Sequence, residues 1–222
     1  MMLQAYTVAL LLAVHLAPTV SYINPDTSSG GDKICIYAQH EKADAVSNYD
    51  LTADSNLSNT CIHGLHEQTN VEFVHGDFLY VDYLVGDNLN VGETFSGMLN
   101  QEAATNNLKR LEGPGSYFSD LLHLGNKGVD GYKKIKDVTF GFQSDIKAVI
   151  VSNSGVSING KVKLLEDSDD VFGYDTIAYD RKISRRSESG DSFMLLSSRQ
   201  LLVHSMSVGA GGWVDEVRVI TA

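Results

Sequence analysis

The sequence has few prolines, few cysteines and almost no basic residues in its first half. Three Pro among 222 residues exclude a collagen-like or proline-rich chain, and two Cys exclude a dense disulfide scaffold. Residues 1–108 hold thirteen Asp and Glu against only Lys33 and Lys42, and the whole chain has a net charge of -11. Because phosphate binding requires clustered Lys and Arg, this balance argues against nucleic acid and anionic lipid as partners.

Long apolar runs are also scarce, and the one that occurs lies at the N-terminus. Residues 1–21 contain no charged side chain, and their apolar run of about a dozen residues is too short to span a bilayer. Thr19-Val20-Ser21 follows it with residues that suit signal-peptidase cleavage, although an N-terminal core helix is the alternative. We therefore expect a signal peptide over 1–21, no integral membrane segment, and extracellular localisation.

The two cysteines, Cys35 and Cys61, predict one disulfide in an oxidising compartment. Such a bond closes a loop of about 26 residues and would stabilise the fold by about 3 to 4 kcal/mol. Two free thiols or metal ligands are the alternative. Asn56-Leu57-Ser58 is a glycosylation sequon inside the same loop, and a glycan at Asn56 requires that loop to be exposed.

The remaining chain predicts a single secreted domain over 22–222 that is mostly β. Runs of β-branched and aromatic residues alternate with Gly, Asn and Asp clusters, and after residue 132 they recur about every ten residues, as in a sandwich or barrel. Within the domain we distinguish an acidic subregion, 34–112, from a β module, 132–222. The expected fold class is an antiparallel β-sandwich or barrel-like fold with one short helix near 98–111, stopped by Gly113-Pro114-Gly115.

Two local patterns refine the β module. Asn159-Gly160 has the residue types that a tight type I′ hairpin turn favours. In the last strand, over 213–220, Val217 and Val219 alternate with Glu216 and Arg218. Because successive strand side chains point to opposite faces, this alternation predicts one buried face and one partly wet face.

The clustered histidines, His63, His66 and His75, raise the question of a metal site. Their order, His63-Gly-Leu-His66-Glu67, matches neither His-Glu-x-x-His nor its inverted form, and Gly64 weakens the helix that either motif needs. We favour surface or turn histidines, with a metal-dependent enzyme on these three as the alternative. Without a Gly-x-Ser-x-Gly motif or a spare Cys, we expect no catalytic activity and no cofactor.

Three further segments are candidates for surface contacts. The acidic residues 166–170 fail the EF-hand pattern and predict a solvated loop, with weak calcium binding as the alternative. The basic run 180–186 predicts a hairpin tip in which the dibasic pair 185–186 could be cleaved or could contact an anion. Trp213 and Tyr174 are candidate stacking faces for a glycan, which makes a glycan-binding module another alternative.

Parts of residues 84–220 resemble the insect multiprotein bridging factor two family. The resemblance rests on Val85-Gly86-Asp87, Lys136-Asp-Val138, the strand Ile146-Lys-Ala-Val-Ile-Val151 and the closing pair from Leu202-Val-His-Ser205 to Val219. It implies a small secreted β protein. The family name also implies transcriptional coactivation, which we do not carry over because a signal peptide and a pI of about 4.9 conflict with a nuclear role.

The sequence therefore predicts a secreted, non-enzymatic binding or structural protein of an extracellular fluid or matrix. Its partner would be a protein or a glycan, met through an exposed strand face or the segments 166–170 and 181–191. Between Ala43 and Leu108 there are ten acidic residues and no Lys or Arg. A cationic partner, if one exists, is expected at this acidic stretch.

Overall fold

A computed structural model gives the fold of the chain. It describes residues 33–37, 49–50, 61–67, 70–97, 108–125, 133–152, 155–157, 160–162, 164–173, 177–178, 187, 190–209 and 214–222. No helix within these ranges combines the length and the apolar character needed to cross a membrane.

The described residues form many short strands and a single helix, α1 (Leu164–Phe172). This confirms the mostly β fold class that the sequence predicted. The strands are β1 (Lys33–Tyr37), β2 (Tyr49–Asp50), β3 (Cys61–His66), β4 (Val71–Phe73), β5 (Phe78–Val81), β6 (Tyr83–Leu84), β7 (Thr94–Ser96), β8 (Lys109–Glu112), β9 (Gly115–Gly125), β10 (Lys133–Gly141), β11 (Ile146–Ile150), β12 (Gly155–Ser157), β13 (Gly160–Val162), β14 (Ile177–Ala178), β15 (Ser192–Ser197), β16 (Gln200–Val208) and β17 (Val214–Thr221).

A seven-stranded sheet forms the middle of the molecule. Its order is β1-β3-β9-β17-β11-β6, and β4 extends it by pairing with β9. β9 and β17 are its long central strands and run antiparallel, with Val217 opposite Leu122 and Arg218 opposite Leu121. β1 and β3 pair in parallel, whereas the remaining pairs of this sheet are antiparallel. The strand order places β6 at one edge.

A four-stranded sheet, in the order β10-β16-β15-β7, packs against one side of the large sheet. We call that side of the large sheet the inter-sheet face. Its apolar side chains, such as Leu122, Val217 and Val219, share one buried cluster with Phe140 and Phe193 of the smaller sheet. This packing confirms the sandwich, and the described strands close no barrel. Each fully buried side chain of this size contributes about 1.5 to 3 kcal/mol.

The opposite side of the large sheet, which we call the helix face, is covered by α1. Leu164, Leu165 and Phe172 of the helix are buried in one cluster with Leu121 and Ile220 of the sheet. The buried positions of α1 recur at the spacing of one helical face and also include two polar residues, Ser168 and Asp169. Glu166 and Asp167 lie in its first turn, where negative charge favours a helix.

The helix predicted near 98–111 is wrong over 109–111 and stays a prediction over 98–107. Of the segment 98–111, residues 98–107 lie outside the described residues, and Lys109–Glu112 is strand β8, paired with β5. The acidic segment 166–170, predicted as a loop, instead lies within α1. A helix there buries Asp169, so this segment is not the solvated loop that we expected for calcium or partner contacts.

Two other local predictions are confirmed only in part. β12 and β13 form a hairpin at the predicted place, but Ser157 lies opposite Gly160, which belongs to β13, so Asn159-Gly160 is not the central pair of its turn. The last strand exists as β17, but the prediction of a partly wet face is wrong because all eight of its residues are buried. Glu216 and Arg218, on its polar side, are both 0% exposed. The side predicted to be wet is the helix face.

Candidate functional site

A buried ionic cluster joins the helix face to α1, and Arg218 is at its centre. Its Nε and one Nη atom donate to the two carboxylate oxygens of Glu67, at 2.8 and 2.6 Å. The same Nη atom, Nη2, also donates to the Asp169 carboxylate of the helix at 2.8 Å. The other Nη atom, Nη1, donates to the Leu165 carbonyl at 3.1 Å and to the Ser168 hydroxyl. A planar guanidinium matches such a two-pronged carboxylate geometry.

Glu67 is held in this cluster from the sheet side as well. The Ser119 hydroxyl of β9 donates to its carboxylate at 2.6 Å, and its backbone N–H donates to the Ser119 carbonyl at 2.9 Å. The side chains of Arg218, Glu67 and Asp169 are all 0% exposed. The contacts of Arg218 with Leu165, Ser168 and Asp169 hold α1 on the sheet. Because the three charged side chains of the cluster are fully buried, it offers no access to a substrate.

Two of the three predicted metal candidates lie on β3, and the third lies elsewhere. His63 is buried beside His123 of β9, with ring centroids 6.3 Å apart, and its Nε2 is 3.6 Å from the Cys61 sulfur. His66 is 11% exposed at the end of the same strand. His75 is exposed on the turn between β4 and β5. The surface or turn interpretation is therefore wrong for His63 and His66, because both lie on β3, an inner strand of the seven-stranded sheet between β1 and β9.

Two histidines of this strand pair, His123 and His66, have a carboxylate partner. His123 Nδ1 lies 3.0 Å from Glu216 Oε1, with both side chains fully buried. His66 Nδ1 lies 2.8 Å from Asp120 Oδ1. Burial lowers the pKa of His66, but the hydrogen bond and charge of Asp120 outweigh it, so the pKa is raised above its ordinary value. Within the described ranges, no three His, Cys, Asp or Glu side chains converge as metal ligands.

Several other predicted residues cannot be placed. Asn56, Tyr174, Trp213, the dibasic pair 185–186 and the signal peptide 1–21 lie outside the described residues. Among the described residues there is no free cysteine, so Cys61 is not a free thiol. The side chain of Cys35 lies outside the described residues, although β1 places Cys35 opposite His63, two residues from Cys61. The disulfide between Cys35 and Cys61 stays a prediction.

Asp82 is a buried carboxylate that has no described basic partner. It follows β5 and accepts hydrogen bonds from the backbone N–H groups of Val151 and Ser152, at 2.8 and 2.9 Å, and from the Ser152 hydroxyl at 2.8 Å. Burial raises the pKa of Asp82 to about 6 in spite of these donors. Its role is to tie the segment between β5 and β6 to the end of β11.

An open groove lies at the edge of the sandwich, where β6 of the large sheet and β7 of the small sheet approach each other. The rings of Tyr83 and Phe95 are 4.6 Å apart there, and the Tyr83 hydroxyl donates to the Ser96 carbonyl at 3.2 Å. Its volume is about 430 Å³, within the range of ligand clefts. We call it the edge groove; it is lined by Tyr83, Asn88, Leu89 and residues 93–96.

Neighbouring turns fix the shape of the edge groove. Asn88 accepts the Leu84 N–H at 2.7 Å and donates to the Asp82 carbonyl at 2.9 Å. Glu93 accepts the backbone N–H of Asn90 at 2.8 Å through its Oε2 atom. No sequence motif predicts this groove, because its walls come from two different sheets that are brought together only in the folded protein.

The acidic stretch of the first half divides into interior and surface residues. Among the described residues 61–97, Glu67 and Asp82 are buried and serve the internal contacts above. The exposed acidic residues are Glu72 on β4 and, at or beside turns, Asp77, Asp87 and Glu93. The acidic surface of this range is therefore made of separate residues, and one of them, Glu93, borders the edge groove.

Comparisons of the chain with protein-family models, with curated proteins and with solved structures found no match. The resemblance to the insect multiprotein bridging factor two family stays a prediction.

Proposed function

We propose that this chain is a secreted, non-enzymatic binding protein and that its partner is basic. The observation that carries this proposal is the contrast between enclosed and open polar groups. The side chains with the ionisable groups that catalysis commonly uses include Arg218, Glu216 and His123, and all three are fully buried. The open edge groove instead presents a carboxylate and neutral polar groups, which suit recognition better than catalysis.

Secretion belongs to the same proposal. A signal peptide at 1–21, a disulfide between Cys35 and Cys61 and a glycan at Asn56 are mutually consistent features of an extracellular protein. Extracellular localisation would bring the mature chain to basic proteins of a fluid or matrix. A secretion assay with the Asn56→Gln variant tests this step. If Asn56 carries a glycan, the secreted variant has a lower apparent mass than the secreted wild type, and equal masses would contradict a glycan at Asn56.

A basic partner is supported by the charge distribution. The first half of the chain has thirteen acidic and two basic residues, whereas residues 109–222 have fifteen of each. One of the exposed acidic residues, Asp87, already pairs with Lys109 at 3.0 Å. Glu72, Asp77 and Glu93 make no such ion pair among the described residues and remain available to a cation.

The test measures binding of the secreted chain to immobilised poly-L-lysine and poly-L-glutamate at low and high salt. We expect binding to poly-L-lysine only, weakened by salt because the exposed charges are screened. A first-half variant, Glu72→Gln/Asp77→Asn, should weaken binding several-fold. The charge-matched control Asp137→Asn/Asp170→Asn, at exposed positions of the second half, should change it less than twofold. No binding to poly-L-lysine, or equal losses in both variants, would contradict the proposal.

A further inference from the structure

We propose that the edge groove binds the side chain of a single Arg or Lys residue within an extended segment of the partner. This inference rests on the proposed function, since it names the site at which a basic partner is recognised. The groove of about 430 Å³ is large enough for one long side chain and too small for a folded domain.

The lining has the chemistry that a cation requires. Glu93 is its one charged residue, and none of the lining residues is Lys, Arg or His. The two bonds from Asn90 use only the Oε2 atom of Glu93. Its Oε1 atom makes no hydrogen bond within the described part of the chain, so it can accept from an ammonium or guanidinium group. A charge-assisted bond of this kind is stronger than a neutral one.

Tyr83 supplies the second polar contact and part of an apolar wall. Its hydroxyl hydrogen is committed to the Ser96 carbonyl, which leaves the oxygen lone pairs as acceptors. Burial, with a smaller contribution from the charge of Asp82, raises the pKa of Tyr83 to about 12, so the phenol stays protonated at physiological pH. The paired rings of Tyr83 and Phe95 suit the methylene stem of Lys or Arg.

The backbone at the groove favours an extended segment. Glu93 and Gly97 direct their backbone groups to β15, through the bonds Leu195 N–H to Glu93 O and Gly97 N–H to Asp191 O. Because alternate residues of an antiparallel strand turn these groups to opposite sides, Thr94 turns its N–H and C=O toward the open edge. A partner strand could add there with its basic side chain in the groove.

Two exposed apolar residues border the same edge. Val91 is 55% and Leu196 38% exposed, and they are brought together by the bond from Gly92 N–H to the Leu195 carbonyl at 2.7 Å. Apolar residues next to the basic one in the partner segment would contact them. The turns held by Asn88 and Asn90 form the groove before any partner arrives, which reduces the entropic cost of binding.

The experiment compares two peptides that differ in one charge. The probe is Ac-Ser-Val-Arg-Val-Ser-NH2, and its control replaces Arg with citrulline, which has nearly the same shape without the charge. Binding to the full chain is followed by amide NMR shifts at residues 83–97. We expect the arginine peptide to bind at least tenfold more tightly than the citrulline peptide, with the largest shifts at 93–96.

Matched variants locate the site. Glu93→Gln keeps the acceptor for Asn90 but removes the charge, and we expect it to weaken the arginine peptide at least tenfold. Glu72→Gln, which removes an exposed carboxylate on β4, should leave binding within twofold. Thr94→Lys, at an exposed edge position, places a cation beside the groove and should also weaken binding. This second variant tests the site even if Glu93→Gln fails to fold.

The outcomes separate this inference from the proposed function. If Glu93→Gln and Thr94→Lys bind the arginine peptide as the wild type does, or if the two peptides bind equally, the groove is not the site. Binding of those variants to poly-L-lysine would then show that basic partners meet another surface. Failure of the wild type on poly-L-lysine would instead overturn the proposed function itself.

Discussion

The two faces of the seven-stranded sheet are both buried, but they are buried by different chemistry. The inter-sheet face packs Leu122, Val217 and Val219 against the apolar side chains of the smaller sheet. The helix face combines Leu121 and Ile220 with a fully buried ionic cluster. Val217 therefore lies in an apolar interior, whereas its neighbour in the same strand, Arg218, lies in an ionic one.

The difference shows what each kind of burial can specify. Apolar packing is non-directional, so by itself it defines the position of the smaller sheet less sharply than directed bonds would. The cluster requires defined donors and acceptors, and three of its partners, Leu165, Ser168 and Asp169, come from α1. A buried ion pair is weak support for stability by itself. We infer that its main effect is to fix the position of the helix.

The largest effect is expected when Arg218 is removed from the helix face. Arg218→Met retains much of the apolar stem but leaves Glu67 and Asp169 as buried charges without their cation. We expect a loss of about 3 to 5 kcal/mol in the free energy of unfolding, measured with urea. A loss below about 1 kcal/mol would mean that the cluster is hydrated, and the contrast between the faces would be lost.

The matched control for Arg218 replaces the whole cluster. Arg218→Met/Glu67→Leu/Asp169→Leu removes both the cation and the carboxylates, so no buried charge remains uncompensated. We expect this triple variant to recover most of the loss, because apolar residues of similar volume often replace buried ion pairs without cost. If the cluster fixes the helix position, α1 should show faster amide exchange in the triple variant despite the recovered stability.

Asp82 sharpens the comparison, because it is a buried carboxylate held by N–H and O–H donors rather than by a described cation. Its pKa of about 6 in the fold lies above its ordinary value of 3.8. Between these values the folded state binds more protons than the unfolded state, so this group lowers stability as the pH rises from about 4 to 7. The difference corresponds to about 3 kcal/mol.

The measurement compares wild type with Asp82→Asn at several pH values. The amide oxygen of Asn can still accept from Val151 and Ser152, and it does not ionise. We expect wild type to lose stability relative to Asp82→Asn as the pH increases from 4 to 7. A constant difference between the two chains would show that Asp82 ionises in the fold as easily as in water.

Val217→Thr tests whether the inter-sheet face tolerates a polar atom. Threonine has nearly the shape of valine, so the change adds a hydroxyl to an apolar cluster with little change in volume. We expect a loss of about 2 kcal/mol, the cost of burying a hydroxyl without a partner. Val91→Thr, at a position that is 55% exposed, is the control and should change stability by less than about 0.5 kcal/mol. Equal effects at both positions would contradict an apolar inter-sheet face.

Local patterns predicted much of this fold. β4, β5 and the turn at residues 75–77 follow β-branched and aromatic runs separated by turn residues. The hairpin of β12 and β13 lies at the Asn-Gly signal, although its register places Gly160 in a strand. These elements are set by residues close in sequence, which is why a single sequence predicts them.

The helix was missed because its buried face is partly polar. Ser168 and Asp169 interrupt the apolar spacing of Leu164, Leu165 and Phe172, so the segment has the composition of a solvated acidic loop. Their partner, Arg218, is 49 residues further along the chain from Asp169. Nothing near Asp169 in the sequence distinguishes a buried, paired carboxylate from an exposed one.

The buried positions of strand β10 do not follow a simple alternation along the sequence. Ile135 and Val138 belong to the same buried cluster although they are three residues apart, which strict alternation forbids. Asp137 between them has a φ of 53°, a conformation that Asp tolerates better than most residues. This residue shifts the alternation by one.

The candidate site was predictable only in its charge. The excess of acidic residues in the first half indicated a cationic partner, and Glu93 is one of those residues. The edge groove itself depends on β6 and β7 lying at the edges of two different sheets. Long-range strand order of this kind leaves no local signal, so the position of the groove could not be derived from the sequence.

His66 and Asp120 give the smallest test, since they form a polar pair at the end of β3 and close to solvent. The Asp120 carboxyl is 1% exposed, and Glu67 is the other charged group whose field raises the pKa of His66. Because the folded pKa lies above the ordinary 6.5, the pair stabilises the fold at low pH and loses this contribution as the pH rises through the folded pKa. His66→Gln keeps a donor for Asp120 but cannot become charged. We expect wild type to exceed this variant by about 1 kcal/mol at pH 5.5 and by less at pH 8.5. A gap that widens with pH would show that His66 is neutral in the fold.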